Sequence, residues 1–252
     1  MPVEFKAVPA VYKCFDLINL LVTRKTPLGV SAIASALGYH RSTVFNLVYS
    51  LMDLGILERD DEGRFNLGER FYQLGNQSDR DAGLVQTVRP YLEKIAAETG
   101  LTTFLGVRAA LTAVVIEKAD YLSGLKVSTE IGHSHSLFAG AGGKALLCQL
   151  TEKDLDTLLA TIDLTAHTPF SCVDKDEFKK MIQTVRKNSV AFDREEYVEG
   201  IRALAVPLYV SRTVPTAIWA VGLKKMMPEK QLHSWGNFMK CIALEIQKKL
   251  VR

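Results

Sequence analysis

Between His40 and Tyr49 the chain carries Arg41, Ser42, Thr43, Phe45, Asn46 and Tyr49, a set of side chains suited to the edges of base pairs. Arg can take guanine with two hydrogen bonds, Asn can take adenine in the same way, and an aromatic edge can lie on a thymine methyl. At helical spacing Arg41, Ser42, Phe45, Asn46 and Tyr49 fall on one stripe, with His40 and Thr43 beside its start. The opposite stripe, Val44, Leu47, Val48, Leu51 and Leu54, is apolar and predicted to face inward. The start of such a helix also presents free amides and a positive dipole end to a phosphate. Further along, Arg59 and Arg64 flank Asp60-Asp61-Glu62-Gly63, where they could reach a minor groove or its phosphates. A second candidate lies at Leu137 to Lys144, where small residues precede a predicted helix start. There the amides of Ala141 and Gly142 could hold a small anion such as a carboxylate. This is not a nucleotide-phosphate loop, because Phe138 stands where the first glycine is needed and Ala145 follows Lys144. The glycines also fit a purely packing role, letting a helix approach a sheet closely.

Each set needs elements to position it. A short helix over Val30, Ile33, Ala34 and Leu37, a turn at Gly38 and a second helix from Ser42 to Leu54 give a helix-turn-helix. Ile56 to Arg59 and Arg64 to Leu67 then read as a two-stranded wing around a polar turn. The order of helix, turn, helix and wing places one helix in a major groove; the same pattern also fits an αα-hairpin with a solvated polar face. Across residues 1–78 the basic and acidic side chains are equal in number. A single copy of this region therefore binds DNA weakly, and affinity calls for a second copy.

The polar run Gly75 to Asp81 interrupts the apolar period, which divides the chain into 1–75, a linker at 76–83 and a second domain at 84–252. In that second domain Leu84, Val88, Leu92, Ile95 and Ala96 predict a helix ending near Gly100. Strands are expected at Thr102 to Val107, Ala113 to Lys118, Leu125 to Ser128, Ile201 to Tyr209 and Thr216 to Leu223. Helices are expected at Gly143 to Gln149, Lys153 to Leu159, Asp176 to Lys187 and Pro228 to Leu250. Hairpin-grouped strands flanked by helices give an α+β domain with a mainly antiparallel sheet.

The order of motifs along nearly the whole chain resembles the IclR family of bacterial transcriptional regulators. The resemblance runs through Pro27-Leu28-Gly29-Val30-Ser31-Ala32-Ile33-Ala34, Arg41-Ser42-Thr43-Val44, Leu54-Gly55-Ile56-Leu57 and Gly63-Arg64-Phe65-Asn66-Leu67-Gly68. It continues in Arg89-Pro90-Tyr91-Leu92, Ala141-Gly142-Gly143-Lys144-Ala145-Leu146-Leu147, Phe192-Asp193-Arg194-Glu195-Glu196 and Ala205-Val206-Pro207. It implies a winged helix-turn-helix joined by a linker helix to a GAF-like or profilin-like effector domain. It also implies a homodimer or homotetramer on a palindromic double-stranded DNA operator, and a small organic acid as effector. By the family pattern, loop amides at Ala141 and Gly142, the carboxylate of Asp193 and the pocket position Ala203 contact that effector. The family usually has Cys or Ser where Ala203 stands, proline at Ser136, and Ser or Thr at Gly140. Loss of a thiol or hydroxyl favours a more apolar ligand, with Leu122, Leu125, Val127, Leu137, Phe138 and Trp219 as candidate walls.

Other chemistries find little support. At 252 residues, 48% hydrophobic and 23% charged, the chain is ordinary for a two-domain globular protein. No apolar run is long enough for a bilayer, and Met1 to Pro9 lacks a signal pattern, so a cytoplasmic protein with no membrane partner is expected. Cys14, Cys148, Cys172 and Cys241 are scattered and read as free thiols. His133 and His135 form a His-x-His pair that could hold zinc but reads better as exposed loop histidines; no metal or cofactor is expected. Asp193, Glu195 and Glu196 lack an accompanying nucleophile motif, so no catalytic residue is assigned. The competing reading is an acyl-transfer enzyme that uses Gly140 to Gly143 as a cofactor cradle, with an accessory winged helix.

Overall fold

Apolar residues at three- and four-residue steps wind the amino-terminal region around a small core. The computed structural model describes residues 6–24, 26–76, 79–121, 127, 129–211 and 213–250. The chain divides into two units, 1–82 and 83–252. In the first, α1 (Pro9–Arg24), α2 (Val30–Leu37) and α3 (Arg41–Asp53) bury Leu17, Leu21, Ile33, Val44 and Val48 against one another. Gly38 ends α2 at a φ of +67°, a left-handed conformation that costs glycine little, and its N–H bonds the Ala34 carbonyl. Strands β1 (Leu57–Arg59) and β2 (Phe65–Leu67) pair antiparallel with Arg59 opposite Phe65, and α4 (Glu69–Asn76) follows. Leu54, expected on the inward stripe, caps the C-terminus of α3 and is exposed, whereas Leu47 is half-buried. The helix has ended by residue 54, so the period no longer aims its side chain inward.

The second unit is a six-stranded antiparallel sheet between two helical layers. A long helix, α5 (Asp79–Thr99), leads to β3 (Thr102–Ala109), β4 (Thr112–Ala119) and β5 (Ser134–Ser136). Next come α6 (Gly140–Leu147), α7 (Glu152–Ala160) and α8 (Lys175–Asn188). Strands β6 (Ala191–Arg194), β7 (Ile201–Leu208) and β8 (Thr216–Leu223) follow, and α9 (Glu229–Leu250) closes the chain. Spatial order is β5-β4-β3-β8-β7-β6. Period-two alternation splits the strands between the layers. From β8, Ile218 and Ala220 pack with Val88, Leu92, Ile242 and Ile246 of α5 and α9, while Ala217 and Trp219 join Ala145, Phe178 and Ile182 of α6 and α8.

Two differences from the sequence-based expectation have physical causes. Helix α5 begins at Asp79, inside the span assigned to the linker, because loss of an apolar period does not by itself stop a backbone helix. Strands β5 and β6 were not expected; at three and four residues they are too short to show alternation. The strand expected at Leu125 to Ser128 falls mostly outside the described residues, and Val127 belongs to no strand. Among the described residues, no helix is long and apolar enough to cross a membrane.

Candidate nucleic-acid interface and ligand cavity

His40 stands at the N-cap of α3, where its Nδ1 lies 3.4 Å from the Ser42 amide and 2.7 Å from the Ser42 hydroxyl. It therefore shapes the helix start. Arg41, Ser42, Phe45 and Asn46 are exposed on the outer face, and Thr43 is half-buried. Tyr49 is half-buried as well. Its ring lies 4.4 Å from that of Phe45 and meets the buried Phe65 edge-on at 5.7 Å. Its hydroxyl accepts a hydrogen bond from Arg59 Nη1 at 3.3 Å. Arg64 is engaged by carboxylates: Nε bonds Asp60 and Nη1 bonds Glu62, each at 2.8 Å. The Arg64 amide and guanidinium together hold the Asp60 carboxyl below its ordinary range. A phosphate reaching Arg64 would compete with both acids.

In the second unit a cavity of about 340 Å³ opens between one sheet face and the N-terminus of α6. Strand register assembles its sheet side: Asp193 pairs with Ala203, Ala203 with Val221, and Trp219 with Phe104. The Trp219 indole is held flat. Added Cβ atoms would sit 2.2 Å from it at Gly106 and 3.0 Å at Gly142, and Phe104 stacks beside it at 5.9 Å and 29°. Gly143 is needed for a different reason, since a Cβ there would lie 2.1 Å from the Leu137 carbonyl oxygen. The two readings of the glycine run are thus compatible: the same residues that let α6 approach sheet and loop also line the cavity.

Ala139 is the N-cap of α6 and offers no side-chain bond, so the first-turn amides, in residues that border the cavity, lack a side-chain acceptor. Asp193 is 4% exposed and accepts the Glu196 amide at 2.7 Å; burial pushes its carboxyl up to about 6, helped by the Glu196 charge. The cation that acts on it, Lys144, is committed elsewhere. Lys144, 2% exposed, donates to both Glu196 carboxylate oxygens at 2.7 Å and to the Phe192 carbonyl at 2.5 Å. Glu195 is anchored by Lys224 and by the Gly200 amide. Val127, Val198, Ile201, Ala203 and Val221 make much of the remaining wall apolar, while Thr129, His135, Ser136 and Tyr197 add polar side chains to it.

Of the residues read from sequence as effector contacts, Val127, Ala141, Gly142, Asp193, Ala203 and Trp219 border this one cavity. Leu137 does not: it is buried in the core, with its carbonyl beneath Gly143. Phe138 packs toward Phe178 and borders a separate small depression. Ser136 and Ala139, on either side of this pair, do border the cavity, so the backbone here turns the Leu137 and Phe138 side chains to the other side. Leu122 and Leu125 lie outside the described residues. Sequence reading missed Phe104, His135, Tyr197, Val198, Ile201 and Val221. Alternation could have found two of them, since Ile201 and Val221 share a face with Ala203 and Trp219. His135, read as an exposed loop residue, is half-buried in β5 on the cavity wall, and burial, with the neighbouring His133, lowers its pKa. Among the described residues no cluster of three metal-ligating side chains occurs.

Comparison with known proteins supplies the context for both sites. A model of the bacterial transcriptional regulator IclR C-terminal domain matches residues 78–248, and a model of the IclR helix-turn-helix domain matches residues 10–61. The chain is 26% identical to the HTH-type transcriptional regulator XynR of Escherichia coli K12, over 80% of this chain and 81% of that protein. It is 24% identical to the HTH-type transcriptional repressor AllR of the same organism, over 99% and 93%. An IclR homolog from Microbacterium hydrocarbonoxydans, solved in complex with 4-hydroxybenzoate, superposes with a TM-score of 0.81 at 18% identity, covering 96% of this chain and 98% of that one.

Proposed function

The chain belongs to the IclR family of DNA-binding transcriptional regulators, and on that premise we propose that it is a repressor of a catabolic operon whose hold on a palindromic operator is changed by a small organic acid. The observation that carries this reading is the presence, in one chain, of an exposed Arg41, Ser42, Phe45 and Asn46 face beside a wing, and of a separate cavity of about 340 Å³ with helix amides at one end. That volume suits a molecule of one ring or a short branched chain. The α6 amides offer a place for a carboxylate, and Trp219, Phe104 and Val221 offer a surface for an apolar body. With Ala203 adding no hydrogen-bonding group, an aromatic or aliphatic acid fits better than a small keto acid. The 4-hydroxybenzoate held by the Microbacterium homolog is a molecule of this kind, and the name of AllR supports the repressor reading.

Two copies are required. The first 78 residues carry no net charge to bind DNA as a monomer, and α1 leaves Val11, Tyr12, Phe15 and Val22 exposed. We assign this stripe to association between copies, as a homodimer or as a homotetramer built from dimers. Family and fold are those of a regulator, which supports this reading over that of an acyl-transfer enzyme.

The test is binding of the purified protein to the DNA upstream of its own gene, at several salt concentrations, with and without a panel of aromatic and aliphatic acids. Specific, salt-sensitive binding altered by one acid is expected. Arg41→Ala should weaken it about tenfold or more with the circular dichroism spectrum unchanged. Undiminished affinity of that variant would remove α3 from the interface.

A further inference from the structure

Phe45 is 49% exposed on the outward face of α3, beside Arg41, Ser42 and Asn46. An aromatic ring in that position gives up burial unless a partner covers it. Its placement is also controlled from behind. The ring lies 4.4 Å from Tyr49, which rests edge-on against Phe65, and Phe65 is buried in the wing and core. Arg59 of β1 reaches back to the Tyr49 hydroxyl at 3.3 Å. A continuous run of ring contacts thus leads from the core of the unit outward and ends in one exposed apolar edge among polar groups.

The floor of the major groove restricts what such an edge can meet. Apart from the small C5–H of cytosine, the groups that base pairs present there are hydrogen-bond donors or acceptors; the thymine C5-methyl is the one bulky apolar group. We propose that Phe45 reads a thymine C5-methyl in each operator half-site, and that Tyr49 and Arg59, although of base-reading type, act as positioning residues that hold its ring. This rests on the operator-binding reading above and adds to it a specificity determinant and the base it selects.

Replacing thymine by deoxyuridine removes the methyl and leaves base pairing intact, so the protein itself is untouched in the first arm of the test. With the operator located by footprinting, each thymine is replaced in turn and affinity is read by fluorescence anisotropy at one fixed salt concentration. At one position per half-site deoxyuridine should weaken binding about fourfold, the effect of losing one buried methyl. Phe45→Ala should bind thymine and deoxyuridine operators equally. Tyr49→Phe, which keeps the ring and releases Arg59, should narrow the difference. Arg41→Ala should weaken binding to both operators and keep their ratio. A footprint that persists with no deoxyuridine-sensitive position, or a sensitivity that survives Phe45→Ala, overturns the proposal while leaving DNA binding in place. Absence of any footprint overturns both.

Discussion

Asp193 is an acid placed where acids are expensive to ionise. Its carboxyl titrates near 6 in the folded protein, against an ordinary value of 3.8, and burial is the largest cause. The folded state therefore keeps its proton to higher pH than the unfolded chain does. Stability from this group is greatest below about pH 3.8, falls as pH rises towards 6, and stays reduced above that. An amide in its place keeps an oxygen to accept the Glu196 N–H and has no charge to bury. Asp193→Asn should thus be more stable than the parent at pH 8, by at most about 3 kcal/mol, and equal to it at pH 3, as read by urea unfolding across that range. A constant difference at all pH values would show that the carboxyl is not the strained group. At this scale the sequence was partly legible. Asp193 and Ala203 could be placed through motif order, and Trp219 as an apolar wall. Phe104 and Tyr197 could not, because they meet the cavity through strand pairing and a loop that join positions far apart in the chain.

Long elements were readable because a helix of several turns repeats its apolar period often enough to be seen, as α3, α8 and α9 do. Short ones were not. Strand β6 spans only Ala191–Arg194, yet it carries Asp193 to the cavity; α6 begins at Gly140 within a run of small residues that has no period at all. The structure replaces pattern with contact distances. A methyl at Gly143 would press on the Leu137 backbone oxygen, which cannot rotate away, whereas one at Gly29, the N-cap of α2, meets nothing within 4 Å. Gly143→Ala is accordingly expected to cost about 1–3 kcal/mol of stability and to lower Tm, with Gly29→Ala close to neutral. Equal Tm values for the two variants would mean that α6 can withdraw from the loop, and the cavity would then be adjustable at that end.

For the whole molecule, the balance of charge in the first 78 residues and the exposed stripe on α1 make the same demand, because weak single-copy binding becomes useful affinity only when two reading helices are linked. Phe15, 61% exposed, is the most exposed side chain of that stripe. Phe15→Asp should reduce the dimeric or tetrameric mass in sedimentation and make operator binding depend more steeply on protein concentration. Unchanged mass would place the association surface elsewhere. The flat seat of Trp219 between Gly106 and Gly142 has a use of its own. The chain holds two tryptophans, and the other, Trp235, is partly buried against the α5 and α9 layer. With Trp235→Phe, the remaining emitter is an indole on the cavity wall, so an occupant that touches it alters its brightness or colour. The protein then serves as its own optical sensor, and unlabelled compounds can be titrated in a cuvette before any promoter has been identified.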